Sequence, residues 1–396
     1  MDIKSKIQEL SGIYFDEIRA IRRHIHQHPE LSFKEYKTSE FVQSKLSDWG
    51  ISFEAGFVET GIVASIKGKG KGKCLSLRAD LDALPIKEGN IQSDYRSEND
   101  GVMHACGHDV HTANLLGTIK IMNELRDLWN GELRCIFQPG EELLPGGAKL
   151  MIEEGALGNP LPNHILGLHV YPDMEVGKVG FRPGTYMAST DELHLKVIGV
   201  GGHAALPHKL VDSVYIASQI IVSLQQVVSR KMSPYVPSVI SFGYVSAEGA
   251  TNVIPEEVSF KGTLRTFDEE WRAQAHIEIE KTAKFIAESM GATCEVEVRK
   301  GYPFLKNDED FTAFTKQCAI ELLGAENVID LDLRMTAEDF AYYSQLMPAC
   351  FFRLGTAEPG KENEKKLHHP EFDIAEDALK TGVAVMAYSA YSYLAN

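Results

Sequence analysis

Cys106 and His108 stand two residues apart in MHACGHDVHTA (103–113), with His104 and His111 on either side. Thiolate and imidazole are ligands that zinc and similar divalent ions accept. Alone, a Cys-x-His pair also fits a buried thiol beside a helix-capping histidine. Three further groups give it company. Glu141 and Glu142 close the segment GELRCIFQPGEE (131–142), His169 follows the apolar run in HILGLHVYP (164–172), and LHHPEF (367–372) brings His368 and His369. In extended backbone the two glutamates would face opposite sides. One carboxylate can then hold an ion while its neighbour faces a reacting water. An isolated Glu-Glu pair reads instead as a solvated acidic loop.

The elements that must position these groups are legible as patterns. KCLSLRADLDALP (73–85) is apolar and then yields Asp80 and Asp82, as the 131–142 and 164–172 segments yield glutamates and His169. Helical patterns lie between such runs, as at 111–126, which predicts an α/β fold with a largely parallel, covered central sheet. In such sheets reactive groups gather at the carboxyl ends of strands, so the three runs are expected to converge on one site. The middle of the chain reads as strand 192–200, helix 211–231, strands 238–246 and 258–267, helix 269–290 and strand 293–301. That β-α-β-β-α-β order is the split βαβ of ferredoxin-like domains. It predicts an α+β domain at 184–298, inserted between 1–183 and 299–396 of the first. The stretch KGKGKGK (67–73) reads as a solvated hairpin tip between two strands.

Composition narrows the partners. Acids outnumber bases 56 to 40, a formal net charge of -16, which speaks against nucleic acid and anionic membrane surfaces. The N-terminus is amphipathic, with Ile3, Ile7, Leu10 and Tyr14 at helical spacing. No unbroken apolar run suggests a signal peptide or a membrane span. The six cysteines are scattered, with no spacing typical of a disulfide framework or zinc ribbon. A reducing, cytoplasmic setting is expected.

Several segments, in this order, resemble one family. They are RRHIHQHPELSF (22–33), LRADLDALPI (77–86), MHACGHDVHTA (103–113), FQPGEE (137–142), LHVYP (168–172), GVGGHAALPH (199–208), NVIP (252–255), GTLRT (262–266), AEDFAYY (337–343) and LHHPEFD (367–373). The chain is similar, nearly end to end, to the amidohydrolase branch of the metallopeptidase family that contains aminoacylases and glutamate-releasing carboxypeptidases. Members of that branch hydrolyse hippurate, N-acetyl-diaminopimelate and indole-acetyl amino acid conjugates.

The resemblance implies a zinc-peptidase-like catalytic domain with an inserted ferredoxin-like lid that also dimerises. It implies Cys106, His108, Glu142, His169 and His368 as metal ligands, with His369 on the variable position, and Glu141 as general base. His203 resembles the transition-state donor, and Asn252 and Arg265 the groups that hold the substrate's carboxylate side. Five ligands exceed what one tetrahedral ion needs and suit two divalent ions, with Zn, Mn, Co and Ni all open. The implied activity is amide hydrolysis of N-acyl amino acids in a lid-to-lid homodimer, in which His203 reaches the neighbour's metals. His24, His26 and His28 are expected to be structural, His111 to pack behind the site, and Asp80, Asp82 and Asp109 to orient ligand imidazoles. Gly140, where the branch more often has Ala, is read as a change in loop flexibility alone. Two other readings remain at this point: a metal-independent cysteine amidase using Cys106, and a non-catalytic, metal-stabilised binding module.

Overall fold

The computed structural model describes residues 2–90, 92–362, 364 and 366–395. Two compact units divide the chain. One runs through Tyr186 and takes up Lys306–Leu333 and the chain from Asp339 on; the other is Met187–Leu305 with Arg334–Glu338.

The first unit is built on an eight-stranded sheet. Its order is Ser52–Phe57, Gly61–Lys67, Glu132–Gln138, Cys74–Asp80, His164–Glu175, Ala349–Ala357, Val179–Phe181, Val328–Asp330. The four central strands are mutually parallel, and antiparallel pairing enters only towards the edges. Covered parallel strands are apolar on both faces, which is why 74–80 and 349–357 read as near-continuous apolar runs rather than alternations. Helix His108–Glu124 is buried nearly all round, with Phe15–Gln27 and Ala378–Ala395 packed on it. Among the described residues no helix is long and apolar enough to cross a membrane.

The KGKGKGK stretch is not a hairpin tip. Strands Gly61–Lys67 and Cys74–Asp80 are separated in the sheet by Glu132–Gln138. The lysine-glycine stretch instead crosses the start of that strand, with Gly68 N–H bonded to Gly131 O and Glu132 N–H to Lys73 O. A Cβ on Gly131 would lie 2.0 Å from Lys73 O, so the crossing itself needs glycine. Composition marked a turn; which strand fills the gap depends on pairing 60 residues away.

The second unit has a four-stranded antiparallel sheet in the order Ser238–Ser246, Glu257–Thr266, Asp191–Ile198, Thr293–Lys300. Helices Ser213–Gln226 and Glu269–Ser289 cover one face around Leu193, Phe260, Ile220 and Ile279. Asp212 and Asp268 cap them, accepting from the amides of Val214, Tyr215 and Trp271. The expected limits at 184 and 298 move to 187 and 305. Thr190 and Gly301–Tyr302 exchange backbone bonds, Arg272 Nη2 donates to Gly301 O, and Phe304 N–H donates to Glu269. These contacts draw 299–305 into the second unit.

Candidate metal centre

The first unit gathers six of the expected residues by a few local devices. Strand Glu132–Gln138 ends at Pro139, and Gly140 takes a left-handed φ of +62°. Glu141 and Glu142 therefore sit in a turn, not on extended backbone as their adjacency suggested. Both carboxylates then approach the same imidazole instead of pointing apart. Strand His164–Glu175 pairs with Cys74–Asp80 only as far as Gly167, so His169 lies past that neighbour's paired stretch. Gly107, at φ +82°, turns the chain between Cys106 and His108. A Cβ there would come within 2.5 Å of Val170, so only glycine lets thiol and imidazole flank this turn. His368 holds φ +60°, and its N–H bonds to Ala105 O at 2.8 Å, one residue from Cys106. His369 turns away and accepts from Glu371 N–H.

The side chains meet closely. Cys106 Sγ lies 3.4 Å from His169 Nε2. His108 Nε2 is 4.0 Å from both Glu141 Oε2 and Glu142 Oε1. Glu142 Oε1 is 3.3 Å from His368 Nε2. Donor atoms of Cys106, His108 and His169, of Cys106, Glu142 and His368, and of His108, Glu141 and Glu142 form three groups, each within 4.8 Å. Cys106, His108, His169 and Glu141 are buried, Glu142 is partly so, and His368 is exposed.

Tautomers follow from the partners. His108 Nδ1 faces two acceptors, Asp82 O at 2.9 Å and Asp82 Oδ1 at 3.2 Å, so it carries a hydrogen and turns Nε2 towards the cluster. His169 Nδ1 likewise donates to Val170 O. His111 is different: Nδ1 donates to Asp80 at 2.6 Å and Nε2 accepts Val170 N–H at 2.9 Å. With both nitrogens used, it packs behind the cluster, as expected.

The electrostatics call for a cation. Burial disfavours a charged His108, yet Asp80, Asp82 and Glu142 outweigh it and lift the imidazole to about 10, so the carboxylates hold a positive charge on the ring, a proton that a metal ion at Nε2 would displace. Burial also opposes ionisation of Asp80, but His108, His111 and Arg78 hold it well below the usual carboxylate range. His169 is kept neutral by burial, with Arg353 and His111 adding to the effect. Two buried atoms of the cluster, His108 Nε2 and Glu142 Oε1, make no hydrogen bond among the described residues. Buried polar atoms that make no hydrogen bond are costly, and a divalent ion held here would satisfy them. Thiol, imidazole and carboxylate donors fit such an ion. A thiolate nucleophile fits poorly, because burial and then Glu142, Glu141 and Asp80 push the Cys106 thiol well above its ordinary value.

Around the cluster lies a second set of groups. Asp82 Oδ2 accepts Glu142 N–H at 2.9 Å and the Ser32 hydroxyl at 2.6 Å. Asp109 is paired with Arg22 and His26, so it braces the helix start rather than a ligand imidazole. His26 spends both nitrogens on Asp109 and Glu88, and His24 stacks on Phe41. Arg78 and Asp339 were missed from sequence. Arg78 Nη1 bonds Asp80 and Nη2 bonds Asp339, each at 2.7 Å, while Asp339 N–H lies 3.4 Å from Glu141 Oε1. The available signal was an arginine inside an otherwise apolar, two-face-buried strand, a position that demands a buried acid.

The second unit carries the other three residues. His203 lies on a two-stranded ribbon, Gly202–His203 with Val253–Ile254, which sequence reading did not foresee. Its ring Nδ1 accepts Ala205 N–H, and Ala204 N–H bonds to Asn252 O, so His203 and Asn252 lie side by side across the ribbon. Both are exposed. Arg265, half-buried near the end of strand Glu257–Thr266, pairs through its backbone with Val239, and its guanidinium makes no hydrogen bond or ion pair among the described residues. Burial lowers its pKa, with Asp191 opposing.

Comparison with known proteins adds four findings. The sequence profile of peptidase family M20/M25/M40 matches residues 76–392. The chain is 42% identical to an N-acyl-L-amino acid amidohydrolase of Geobacillus stearothermophilus over 77% of this chain and 82% of that one. It is 39% identical to an N-acetyl-L-cysteine deacetylase of Bacillus subtilis over 92% and 85%. Among solved structures, a Bacillus subtilis protein described as a dinuclear metal binding peptidase from the M20 family superposes with a TM-score of 0.83. It is 33% identical, with 97% of this chain and 99% of that one covered.

Proposed function

This chain belongs to peptidase family M20/M25/M40, and from that premise we propose that it is a metal-dependent amidohydrolase cleaving N-acyl-L-amino acids into a carboxylic acid and a free amino acid. The observation that carries the reading is the meeting of Cys106, His108, Glu142, His169 and His368 in one cluster with Glu141 beside it. The relatives' substrates supply the N-acyl amino acid class.

Two divalent ions, of Zn, Mn, Co or Ni, are the cofactors of this reading, held by those five residues. Bound there, they would polarise the amide carbonyl and lower the pKa of the attacking water. Glu141 takes the water's proton and later delivers it to the leaving amine. His203 donates to the developing oxyanion. Arg265, whose guanidinium is otherwise unspent, holds the substrate carboxylate through its two-pronged fork, with Asn252 beside it. The exposed edge strand Ser238–Ser246, bearing Val239, Tyr244 and Val245, suits pairing with a second copy, so the protein is a lid-to-lid homodimer in this reading. Six free thiols suit a cytoplasmic setting.

The test is chelation followed by reconstitution with each of the four ions, screened on N-acetyl, N-benzoyl and indole-acetyl amino acids. Activity should vanish on chelation and return with metal. Turnover that survives complete chelation would restore the cysteine amidase. Tight metal binding with no turnover on any member of the panel would leave a binding module.

A further inference from the structure

The segment just after HPEL has no task in the reading above, yet it touches the Glu141–Glu142 turn from two sides. Glu35 is fully buried. Its Oε1 accepts Phe33 N–H at 2.8 Å and Gly140 N–H at 2.9 Å, and its Oε2 accepts the Thr60 hydroxyl at 2.9 Å. Ser32 donates to the same Asp82 oxygen that accepts Glu142 N–H. One contact thus holds the amide before the turn, and the other reaches an amide within it.

Phe33 completes the arrangement. It has φ +62°, costly for a bulky residue and persistent only where the surroundings over-determine it. Its ring occupies the space where a Gly140 side chain would start, so that a Cβ there would lie 2.4 Å from Cε1 and Cζ. Gly140 is therefore more than a flexible variant of Ala, and the sequence reading of it is corrected. The plain structural role for Glu35 would be to cap its own helix, Tyr36–Asp48, where it is the N-cap residue. Its side chain makes no capping bond.

Resting on the proposed function, we propose that Glu35 is a positioning residue. By fixing the Gly140 amide against Phe33, it sets the direction in which the Glu141 and Glu142 carboxylates point. The role needs an acceptor oxygen rather than a charge. Burial, with the Asp82 charge adding, pushes the carboxyl up to about 7, consistent with such a role.

The experiment uses Glu35→Ala, Glu35→Gln and, as a control outside the turn, Thr60→Val. Three quantities are read: Mn2+ affinity of the stripped protein by competition with a chelating dye, kcat and KM on the best N-acyl amino acid of the screen, and amide exchange at Gly140 in metal-free protein. Losing an outer partner of a ligand typically costs about 10–100-fold in metal affinity or activity. Glu35→Ala should weaken Mn2+ binding and lower kcat by that order, leave KM within about threefold, and speed Gly140 exchange at least tenfold. Glu35→Gln keeps a carbonyl acceptor and should stay within about threefold of wild type. Thr60→Val should do the same.

A folded Glu35→Ala with wild-type affinity, kcat and exchange overturns the proposal, as does a Gln variant as defective as Ala. Should the wild type bind no metal, the amidohydrolase reading fails, while exchange at Gly140 still decides this one. Should Glu35→Ala not fold, Glu35→Asp decides: its shorter side chain keeps a carboxylate but withdraws it from the Gly140 amide, so it should speed Gly140 exchange and weaken Mn2+ binding at least tenfold, and wild-type values for both overturn the proposal.

Discussion

The residues assigned to the reaction fall into two regions built in opposite ways. In the first unit, Cys106, His108, His169 and Glu141 are buried at strand ends and a helix start. The Nδ1 atoms of His108 and His169 are occupied, and the Asp82 carboxylate beside His108 is itself held. In the second unit, His203 and Asn252 are exposed on a two-residue ribbon and Arg265 has no ion pair among the described residues. The contrast teaches what each task demands. Ligands for an ion must be aimed beforehand, because low dielectric makes an unsatisfied buried donor costly. Groups that grasp a passing substrate must stay reachable and keep at least one hydrogen-bonding atom free, as the His203 ring does with Nδ1 alone occupied.

The comparison breaks most easily at the adjacent glutamates, where the largest effect is expected. Glu141→Gln should cost at least about 10²–10⁴ in kcat, the usual worth of a general acid–base, while metal content by mass spectrometry stays near wild type. Glu142→Gln should lose metal. Equal metal loss in both variants would mean that the turn acts as one unit with no division of labour.

His203 comes next. Removing a single oxyanion donor costs about 10²–10³ in kcat. His203→Ala should show this with an unchanged Tm, because the side chain is exposed. In a lid-to-lid dimer with His203 acting on the partner's site, refolding a mixture of Glu141→Ala and His203→Ala yields one site that is intact in both groups. Activity should then rise well above either parent. With mixed dimers demonstrated, a dead mixture rejects action in trans.

Arg265→Ala should cost roughly 10–100-fold in kcat/KM on N-acyl amino acids, the worth of a hydrogen bond to a charged group, and much less on the matching amides. An equal loss on both would give Arg265 a packing role inside its own unit.

The smallest effect sharpens the buried side of the contrast. Glu35 titrates near 7 in the fold against an ordinary 4.5, because burial and then Asp82 disfavour its ionised form. A carboxyl raised in this way stabilises the fold fully below the ordinary value, and that stability is lost as pH rises through about 7. Glu35→Gln never ionises. The Tm of the variant minus that of the metal-free wild type should therefore grow more positive between pH 5 and pH 8, by about 2 °C or more. A flat or falling difference would place Glu35 in a more polar setting than its burial implies.

Much of the architecture is written in local pattern. Periodicity is a property of each segment alone, so the alternation of strands and helices, the parallel core and the β-α-β-β-α-β order of the second unit were all legible. The residues that meet at the centre were legible as a set of motifs that resemble one family, while the type and spacing of each alone left a bland reading open. What tertiary structure alone decided is whatever depends on a partner distant in the chain. The glycine-lysine stretch reads as a hairpin until a strand 60 residues on is found between its neighbours. The glutamate pair reads as extended until the Gly140 amide is tied to Glu35, 105 residues away. Of the doublet at 368–369, only backbone docking on Ala105 turns His368 towards Glu142. Arg78 and Asp339, 261 residues apart, become a pair only when the sheet brings strand and loop together. Local pattern encodes which face of an element is apolar. It does not encode which buried acid a buried base will meet, because that depends on the closure of long loops that no short window contains.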